Sequence, residues 1–152
     1  LDLGATVAVD PGAEDPVAAV ADATGGGMAD TVVVTVGSVP ATEGAFDLLA
    51  AGGTVVLVGM TAEGTRVALD ATTLAARNQR ILGSKMGSTT LAVDIPRIVA
   101  RYQAGEVALD SLVSASFPLA DIDAAIAAAR RADTTRVVVT MGGEAAEEGA
   151  AP

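Results

Sequence analysis

Two valine-rich runs constrain the fold of this chain more than any other feature. Thr31 to Val36 and Thr54 to Val58 are continuously apolar and lack the alternation of a half-exposed strand. Runs of this kind are typical of strands buried on both faces of a parallel sheet. A segment with helical apolar spacing separates the runs, and Gly37 and Gly59 follow them directly. The order strand, helix, strand predicts an α/β fold with right-handed crossovers.

Weaker patterns extend this order along the chain. The other predicted strands are Ala5 to Val9, Arg66 to Leu69, Arg80 to Met86 and Arg136 to Thr140. Predicted helices begin at Asp15, Ser38, Thr72, Asp94 and Leu119. The helix that follows Ser38 is expected to include residues 45–49 and to end at Gly52-Gly53.

The charge balance and two missing residue types narrow the chemistry. The 152 residues include nine basic and nineteen acidic side chains, a formal net charge of −10, and no histidine or cysteine. Without those two types the chain cannot build an ordinary zinc site, a thiol nucleophile, a disulfide or a histidine base. An acidic surface repels phosphate backbones, and the apolar runs are far shorter than the roughly 20 residues of a membrane-spanning helix. We therefore expect neither nucleic-acid binding nor membrane insertion.

The length predicts one domain, at roughly 150 residues per domain. We place that domain at residues 1–141 and predict that residues 142–152, which are rich in Gly, Ala and Glu, form a disordered acidic tail. The chain opens at Leu1 and has no signal-peptide pattern, so we expect either a processed start or a fragment.

Three glycine clusters are candidates for phosphate binding. Gly25-Gly26-Gly27 precedes a strand and is predicted to stop a helix, and residues 83–87 contain Lys85 but lack the Gly-Lys-Ser/Thr ending of a P-loop. Gly37 and Gly59 leave two interpretations open. They are either simple turn residues, or positions where a ligand approaches the backbone at the carboxyl ends of parallel strands.

Few cations are available to bind an anion. The guanidinium of Arg136 suits a phosphate or a carboxylate, but a surface salt bridge to one of the many acids is the alternative. Ser84 and Lys85 do not form a nucleophile and base pair, because adjacent residues of a strand point to opposite faces.

The order of several motifs resembles the zinc-type medium-chain alcohol dehydrogenases, from Leu1 to about Met141. Those motifs are Leu3-Gly4-Ala5-Thr6, Asp15-Pro16-Val17, Gly26-Gly27-Met28-Ala29-Asp30, Val36-Gly37, Gly52-Gly53-Thr54-Val55-Val56-Leu57-Val58-Gly59, Gly83-Ser84-Lys85-Met86-Gly87 and Asp94-Ile95-Pro96.

The resemblance implies the C-terminal part of an NAD- or NADP-binding domain. Its fold would be a partial Rossmann-type parallel sheet flanked by helices and lacking the first two strands. The complete family enzyme transfers a hydride between a small alcohol or aldehyde and the nicotinamide, with a zinc ion that polarises the alcohol. The family's zinc ligands, proton-relay residues and first G-x-G-x-x-G turn are not in this chain. We therefore expect a cytoplasmic fragment that does not bind zinc and is inactive alone.

The resemblance also implies roles for individual residues. Cofactor contacts would come from Val36, Gly37 and Ser38 beside the adenosine, Val58, Gly59 and Met60 along the nicotinamide, Ser84, Lys85 and Met86 at the carboxamide, and Arg136 at the pyrophosphate. Lys85 replaces a usually apolar residue, and Val34 stands where many relatives carry an acid. In relatives the strand from Arg80 to Met86 pairs with its twin, which implies a homo-oligomer.

The implied strand order has a consequence for the first predicted strand. In the order 3-2-1-4-5-6, Ala5 to Val9 would be third and Thr31 to Val36 fourth, with the two absent strands between them. Either these two strands pair directly, or the chain folds poorly until a complementary piece joins it. The competing functional hypothesis is a non-catalytic module for nucleotide binding or dimerisation.

Overall fold

A computed structural model describes residues 1, 3–87, 89–131 and 133–141. The chain divides into two compact units, residues 1–90 and the residues from Leu91 onward. The predicted acidic tail, residues 142–152, lies outside the described residues. The single domain over residues 1–141 remains a prediction.

A three-stranded parallel sheet forms the first unit. In chain order its elements are α1 (Pro16–Ala23), β1 (Ala29–Val34), α2 (Val39–Gly44), β2 (Leu49–Leu57), α3 (Ala71–Ala76) and β3 (Arg80–Gly83). The strands lie in the order β1-β2-β3, and both neighbouring pairs are parallel. Because each crossover carries a helix, the α/β prediction with a partial Rossmann-type parallel sheet is confirmed.

The three strands end at the same level of the sheet. Val34 is in register with Leu57, and Leu57 is in register with Gly83. The loops that follow these residues therefore leave the sheet side by side at its carboxyl edge.

Side-chain caps start the first and third helices, and the sequence predicts the cap of the first at Asp15. Asp15 accepts a hydrogen bond from the Val17 amide at 3.0 Å, and proline occupies the first turn of α1. The carboxylate of Asp70 accepts from the Thr72 and Thr73 amides at the start of α3. These bonds satisfy backbone donors that have no partner within a helix.

A small aliphatic core is formed by β1, β2 and the turn that follows α2. Val34, Ala45, Leu49 and Val55 are buried there. Gln79 is also buried, and its side-chain amide donates weakly, at 3.5 Å, to the Leu49 carbonyl. This contact ties the start of β2 to the residue that leads into β3.

The prediction of a strand from Ala5 to Val9 is wrong. Within the described residues this segment is irregular, and the side chains of Leu3 and Val7 are exposed. Direct pairing of this segment with β1 does not occur, since β1 hydrogen-bonds only β2 in the described sheet. An extended segment with no adjacent strand has no partner for its backbone groups, so the β-branched composition alone does not make it a strand.

Burial of the first valine run on both faces is also wrong. Val34 is buried, but Val33 is 53% exposed. The cause is position, because β1 is an edge strand and an open groove lies alongside it.

Three other predicted elements differ in extent. The helix after Ser38 ends at Gly44, residues 45–48 form turns, and Leu49 already belongs to β2. Residues 66–69 form no strand, and β3 ends at Gly83, before the predicted end at Met86. The buried Ala45 and Leu49 mimic a helical spacing because both point into the same core across a turn.

The second unit contains α4 (Leu91–Gln103), β4 (Val113–Pro118), α5 (Ile122–Ala129) and β5 (Arg136–Thr140), with a single 3-10 turn before and after β4. Strands β4 and β5 pair in parallel. The last predicted strand is confirmed, and α5 begins three residues later than predicted because residues 119–121 form the 3-10 turn. Strand β4 was missed, although Val113, Ala115 and Phe117 alternate with serines at the strand period of two.

The start of α4 is a further correction. The helix begins at Leu91, so Asp94 lies within its first turn and is not its cap. Asp94 forms an ion pair with Arg97 at 3.3 Å. The predicted end is confirmed, because the left-handed Gly105 follows the helix and its amide donates to the Tyr102 carbonyl.

Among the described residues, none of the helices combines the length and the hydropathy that crossing a bilayer requires.

Candidate functional site

The candidate site is the carboxyl edge of the three-stranded sheet in the first unit. Nine of the ten residues assigned by resemblance lie in the three loops after its strands, residues 36–38, 58–60 and 84–86. Backbone hydrogen bonds fix the loops to the sheet. The amides of Val58 and Gly59 both donate to the Val34 carbonyl, at 3.0 and 2.8 Å, and the Ser84 amide donates to the Leu57 carbonyl at 2.9 Å.

Gly37 and Gly59 bring the first two loops into direct backbone contact. A Cβ atom on Gly59 would lie 2.5 Å from the Val36 nitrogen, and one on Gly37 would lie 2.8 Å from the carbonyl carbon of Met60. Real Cβ atoms essentially never approach backbone this closely. The two glycines are therefore required for the packing of one loop against the other, a reason that differs from both interpretations of the sequence.

Each of the three loops exposes one apolar side chain at this edge. Val36 is 53% exposed, Met60 is 74% exposed and Met86 is 67% exposed. Apolar groups that cluster at one exposed edge are a feature of ligand-binding surfaces.

Lys85 is the charged residue of this edge. Residues 35–38, 58–61 and 84–87 contain no other ionisable side chain. The side chain of Lys85 is exposed and makes no hydrogen bond or ion pair with the described part of the chain.

The third loop turns sharply after β3. Met86 has a φ of 55° and Gly87 a φ of 69°, so two consecutive residues lie in the left-handed region. The Thr89 hydroxyl donates to the Met86 carbonyl at 2.6 Å. Sequence reasoning missed Thr89 and the conformation of Met86, and the available signal was Gly87 with a hydroxyl residue two positions later.

An apolar groove runs along β1 and reaches the candidate edge at Val36. Its volume is about 580 Å³, within the usual range of roughly 300–1,000 Å³ for small-molecule sites. Residues lining it include Pro16, Val17, Val33, Val36, Pro40 and Ala45. None of these except Val36 was predicted as a site residue, because the groove exists only where the face of β1 is left open.

Arg136, the tenth assigned residue, lies in the second unit at the first position of β5. Its backbone amide donates to the Ser114 hydroxyl at 3.4 Å. The guanidinium is exposed and has no ion-pair partner in the described ranges, so the surface salt bridge considered for it is not formed there.

The groups whose pKa values are shifted do not belong to the three loops of the candidate edge. The Thr73 hydroxyl, together with the Thr73 and Thr72 amides, lowers the pKa of Asp70 at the start of α3. In the second unit the carboxylate of Asp110 accepts from the Tyr102 hydroxyl at 2.7 Å and raises the pKa of that phenol. Neither group belongs to the three loops of the candidate edge.

Zinc does not fit the residues present. The sequence has no histidine or cysteine, and the described residues contain no group of three or more acidic side chains that could hold a metal ion. No step that involves a metal is assigned to this chain.

Comparison with protein-family models gives a match over residues 1–102 to the zinc-binding dehydrogenase family. The chain is similar to the NDMA-dependent alcohol dehydrogenase of Amycolatopsis methanolica, with 36% identity over 126 residues that make up 81% of this chain and 34% of the relative. It is also similar to alcohol dehydrogenase B of Mycobacterium tuberculosis, with 31% identity over 107 residues, 68% of this chain and 28% of the relative. The chain thus spans about a third of the length of these curated relatives.

Solved structures give the same picture of the fold. Benzyl alcohol dehydrogenase from Acinetobacter calcoaceticus matches with a TM-score of 0.83 and 29% identity, over 91% of this chain and 38% of that one. A candidate zinc-binding dehydrogenase from Sinorhizobium meliloti 1021, bound to NADP, matches with a TM-score of 0.78 and 27% identity, over 91% of this chain and 40% of that one.

Proposed function

The chain belongs to the zinc-binding dehydrogenase family, and from that premise we propose that it supplies part of the dinucleotide-binding surface of an alcohol dehydrogenase. The observation that carries the proposal is the meeting of three strand-end loops at one edge of a parallel sheet. In open α/β sheets this is the edge where ligands bind. The reaction of the complete enzyme would be hydride transfer between an alcohol or aldehyde and NAD or NADP.

The shape and polarity of the edge support a dinucleotide. The groove beside β1 offers an apolar surface for a flat ring, and it continues to Val36. Met60 and Met86 extend the apolar surface past β2 and β3. A dinucleotide combines two flat rings with phosphates, and this edge combines apolar side chains with one lysine.

The chain's own residues would bind and orient the cofactor. When bound, the nicotinamide supplies the hydride chemistry. The backbone of Val36, Gly37 and Ser38 would border the adenosine half. The loops at residues 58–60 and 84–86 would hold the nicotinamide half, and Arg136 would meet the pyrophosphate. Alone, the chain is expected to bind the cofactor without turning over alcohols.

Calorimetric titration with NADH and with NADPH tests this proposal. Saturable binding is expected from the unmodified chain, with weaker binding by Arg136→Ala because a guanidinium pairs strongly with a phosphate. Arg130→Ala is the matched control, since it removes another arginine of the second unit that the proposal does not use. Absence of heat at millimolar ligand with the folded chain would contradict the proposal.

A second candidate function is dimerisation, and the free edge of β3 favours it. In the described sheet β3 pairs only with β2, and Leu82 is 53% exposed. A strand with an unpaired edge can add to its twin in a second copy. We therefore propose a homodimer through β3.

Light scattering coupled to size exclusion tests the dimer. Leu82→Lys is expected to shift the chain to a monomer, because a lysine on an edge strand opposes strand addition. Val33→Lys is the matched control, with the same 53% exposure on the opposite edge strand. A monomeric wild-type chain, or equal effects of both substitutions, would count against pairing through β3.

A further inference from the structure

We propose that Lys85 is a specificity residue that binds an oxyanion of the dinucleotide, a phosphate group, at the carboxyl edge of the sheet. This inference rests on the proposed function and deepens it, since that proposal would hold equally well if Lys85 were a solvated side chain.

The candidate edge differs in charge from the rest of the chain. The chain carries nineteen acidic side chains and a formal net charge of −10, yet the three loops of the candidate edge contain no acid and one cation. An anionic ligand that approaches such a protein is repelled by the overall field. Lys85 supplies the one positive charge in the three loops, and a positive charge there offsets this repulsion.

The ammonium of Lys85 is available to a ligand, whereas some other cations of the chain are engaged. Arg101 pairs with Glu106 at 2.9 Å, and the guanidinium of Arg80 donates to the Gly52 carbonyl at 3.3 Å. Lys85 has no such partner within the described ranges. Its ammonium therefore keeps its three donors for a ligand.

The backbone of the loop that carries Lys85 is held on both sides of that residue. Ser84 is tied to β2 through the Leu57 carbonyl, and the carbonyl of Met86 is held by the Thr89 hydroxyl. Lys85 lies between these two anchored residues. Met86 adopts a left-handed φ of 55°, a conformation that is costly for a residue with a side chain. Local strain that the surroundings hold in place is a feature of ligand-binding sites.

Exposed apolar side chains lie at the same sheet edge as Lys85. Exposed apolar side chains from all three loops, Val36, Met60 and Met86, share the edge with the lysine. A ligand with a flat apolar ring and an adjacent phosphate matches this combination. An inorganic anion would match only the lysine, and an uncharged ring only the apolar groups.

The experiment measures dissociation constants of the full chain for NADH, NADPH and ADP-ribose, with Lys85→Gln against wild type. Loss of a lysine contact to a phosphate is expected to weaken binding about fivefold to tenfold. Lys85→Arg keeps the positive charge and is expected to stay within about twofold of wild type. Arg77→Gln removes a cation that precedes β3, at the opposite edge of the sheet, and is expected to leave all three constants unchanged.

The three ligands identify the group that Lys85 binds. Equal weakening for NADH, NADPH and ADP-ribose assigns the contact to the pyrophosphate and supports the proposal. Weakening for NADH and NADPH but not for ADP-ribose would place Lys85 at the nicotinamide, and weakening for NADPH alone would place it at the adenosine 2′-phosphate, away from the half assigned to this loop; either result overturns the inference. If Lys85→Gln binds all three ligands like wild type, the inference on Lys85 is overturned and the proposed function stands. A folded wild-type chain that binds none of them overturns both.

A second measurement does not depend on a variant. Lys85 is the chain's single lysine, so acetylation of amines modifies only Lys85 and the N-terminal amine. Saturating NADH is expected to slow acetylation of Lys85 at least threefold, while the rate at the N-terminal amine serves as the internal control. Equal rates at Lys85 with and without bound ligand would overturn the inference.

Discussion

Single residues at the sheet edge are fixed by backbone geometry more than by side-chain chemistry. Gly37 and Gly59 lie where two loops touch, and neither position has room for a Cβ atom. The requirement for glycine here arises from contact between two parts of the chain that are 22 positions apart in sequence. Glycine directly after a strand can therefore be required because two loops pack against each other, and not only because a ligand approaches the backbone there.

Gly59→Ala is expected to destabilise the fold by about 3 kcal/mol, because the added methyl group overlaps the Val36 backbone. Gly83→Ala is the matched control. Gly83 also ends a strand of this sheet, but a Cβ atom there meets no other atom within 4 Å. Urea unfolding followed by circular dichroism measures both changes, and equal effects would contradict the described packing of the first two loops.

The cap of α3 carries a pH dependence. Hydrogen bonds from the Thr73 hydroxyl and amide lower the pKa of Asp70 from its ordinary value of 3.8. Because the pKa is lower in the folded chain, the ionised carboxylate stabilises α3 fully above pH 3.8, and this contribution is lost as the pH falls through the lowered value.

Amide exchange at Thr72 and Thr73 is therefore expected to quicken as the pH falls below 3.8, once the intrinsic pH dependence is removed. Asp70→Asn keeps a capping oxygen without a titrating group and is expected to abolish this extra acceleration. A carbon chemical-shift titration of the Asp70 carboxyl that gives a pKa at or above 3.8 would contradict the described hydrogen bonds.

Nine of the ten candidate site residues lie in neighbouring loops for a physical reason. Strand ends in parallel sheets fall at one edge, so Gly37, Gly59 and Ser84 had to come together once the strands were identified. The left-handed Met86 and its bond from Thr89 were not predictable in this way. They depend on the conformation of the third loop, and the hydrophobic periodicity of a sequence does not predict the conformation of an irregular loop.

At the scale of elements, the burial of a valine-rich strand depends on its position in the sheet as well as on its composition. Val33 and Val55 belong to similar valine-rich runs, but Val33 is 53% exposed and Val55 is fully buried. The run that contains Val55 forms the central strand, and the run that contains Val33 forms an edge. A single sequence reveals the runs but not which of them has a neighbour on both sides.

The same change in these two strands should therefore have different costs. Val55→Ala is expected to destabilise the chain by about 2 kcal/mol, since it removes buried methyl groups from the core. Val33→Ala is expected to cost less than about 0.5 kcal/mol, because its side chain is half exposed. Denaturant midpoints of the two variants check this, and a large effect at Val33 would mean that a further strand or helix covers it in solution.

The wrong prediction of a strand at Ala5 to Val9 and the missed strand β4 have the same cause, because a single sequence does not show which segments pair. Ala5 to Val9 has strand-like composition and no partner, whereas β4 has serines at alternate positions and forms a parallel pair with β5. Pairing between distant segments, and not local propensity, decides both cases. Helix starts with a proline and a capping side chain, as at Asp15 and Ser38, were predicted because their cause is local.

At the scale of the whole molecule, the negative charge opposes association between copies of the chain, whereas the exposed apolar surface favours it. The formal net charge of −10 opposes non-specific association of copies at neutral pH, while many large apolar side chains are exposed. The sequence has a pI of about 4.2, so this repulsion disappears under mildly acidic conditions.

Reversible association is therefore expected to increase steeply between pH 6 and the pI of about 4.2. Dynamic light scattering across this interval measures it. Val99→Lys, on the exposed apolar side of α4, is expected to reduce the association, and Arg97→Gln is the control on the same helix. Particle size that stays constant down to the pI would show that the exposed groups are covered in solution.

The carbonyl of Val34 accepts two amides at once, from Val58 and Gly59. A single oxygen thus secures the point at which the central strand gives way to its loop. When these two hydrogen bonds break, the amides of Val58 and Gly59 become accessible to solvent in one event. Their hydrogens are therefore expected to exchange with deuterium at the same rate, and the loops after β1 and β2 are expected to become mobile together.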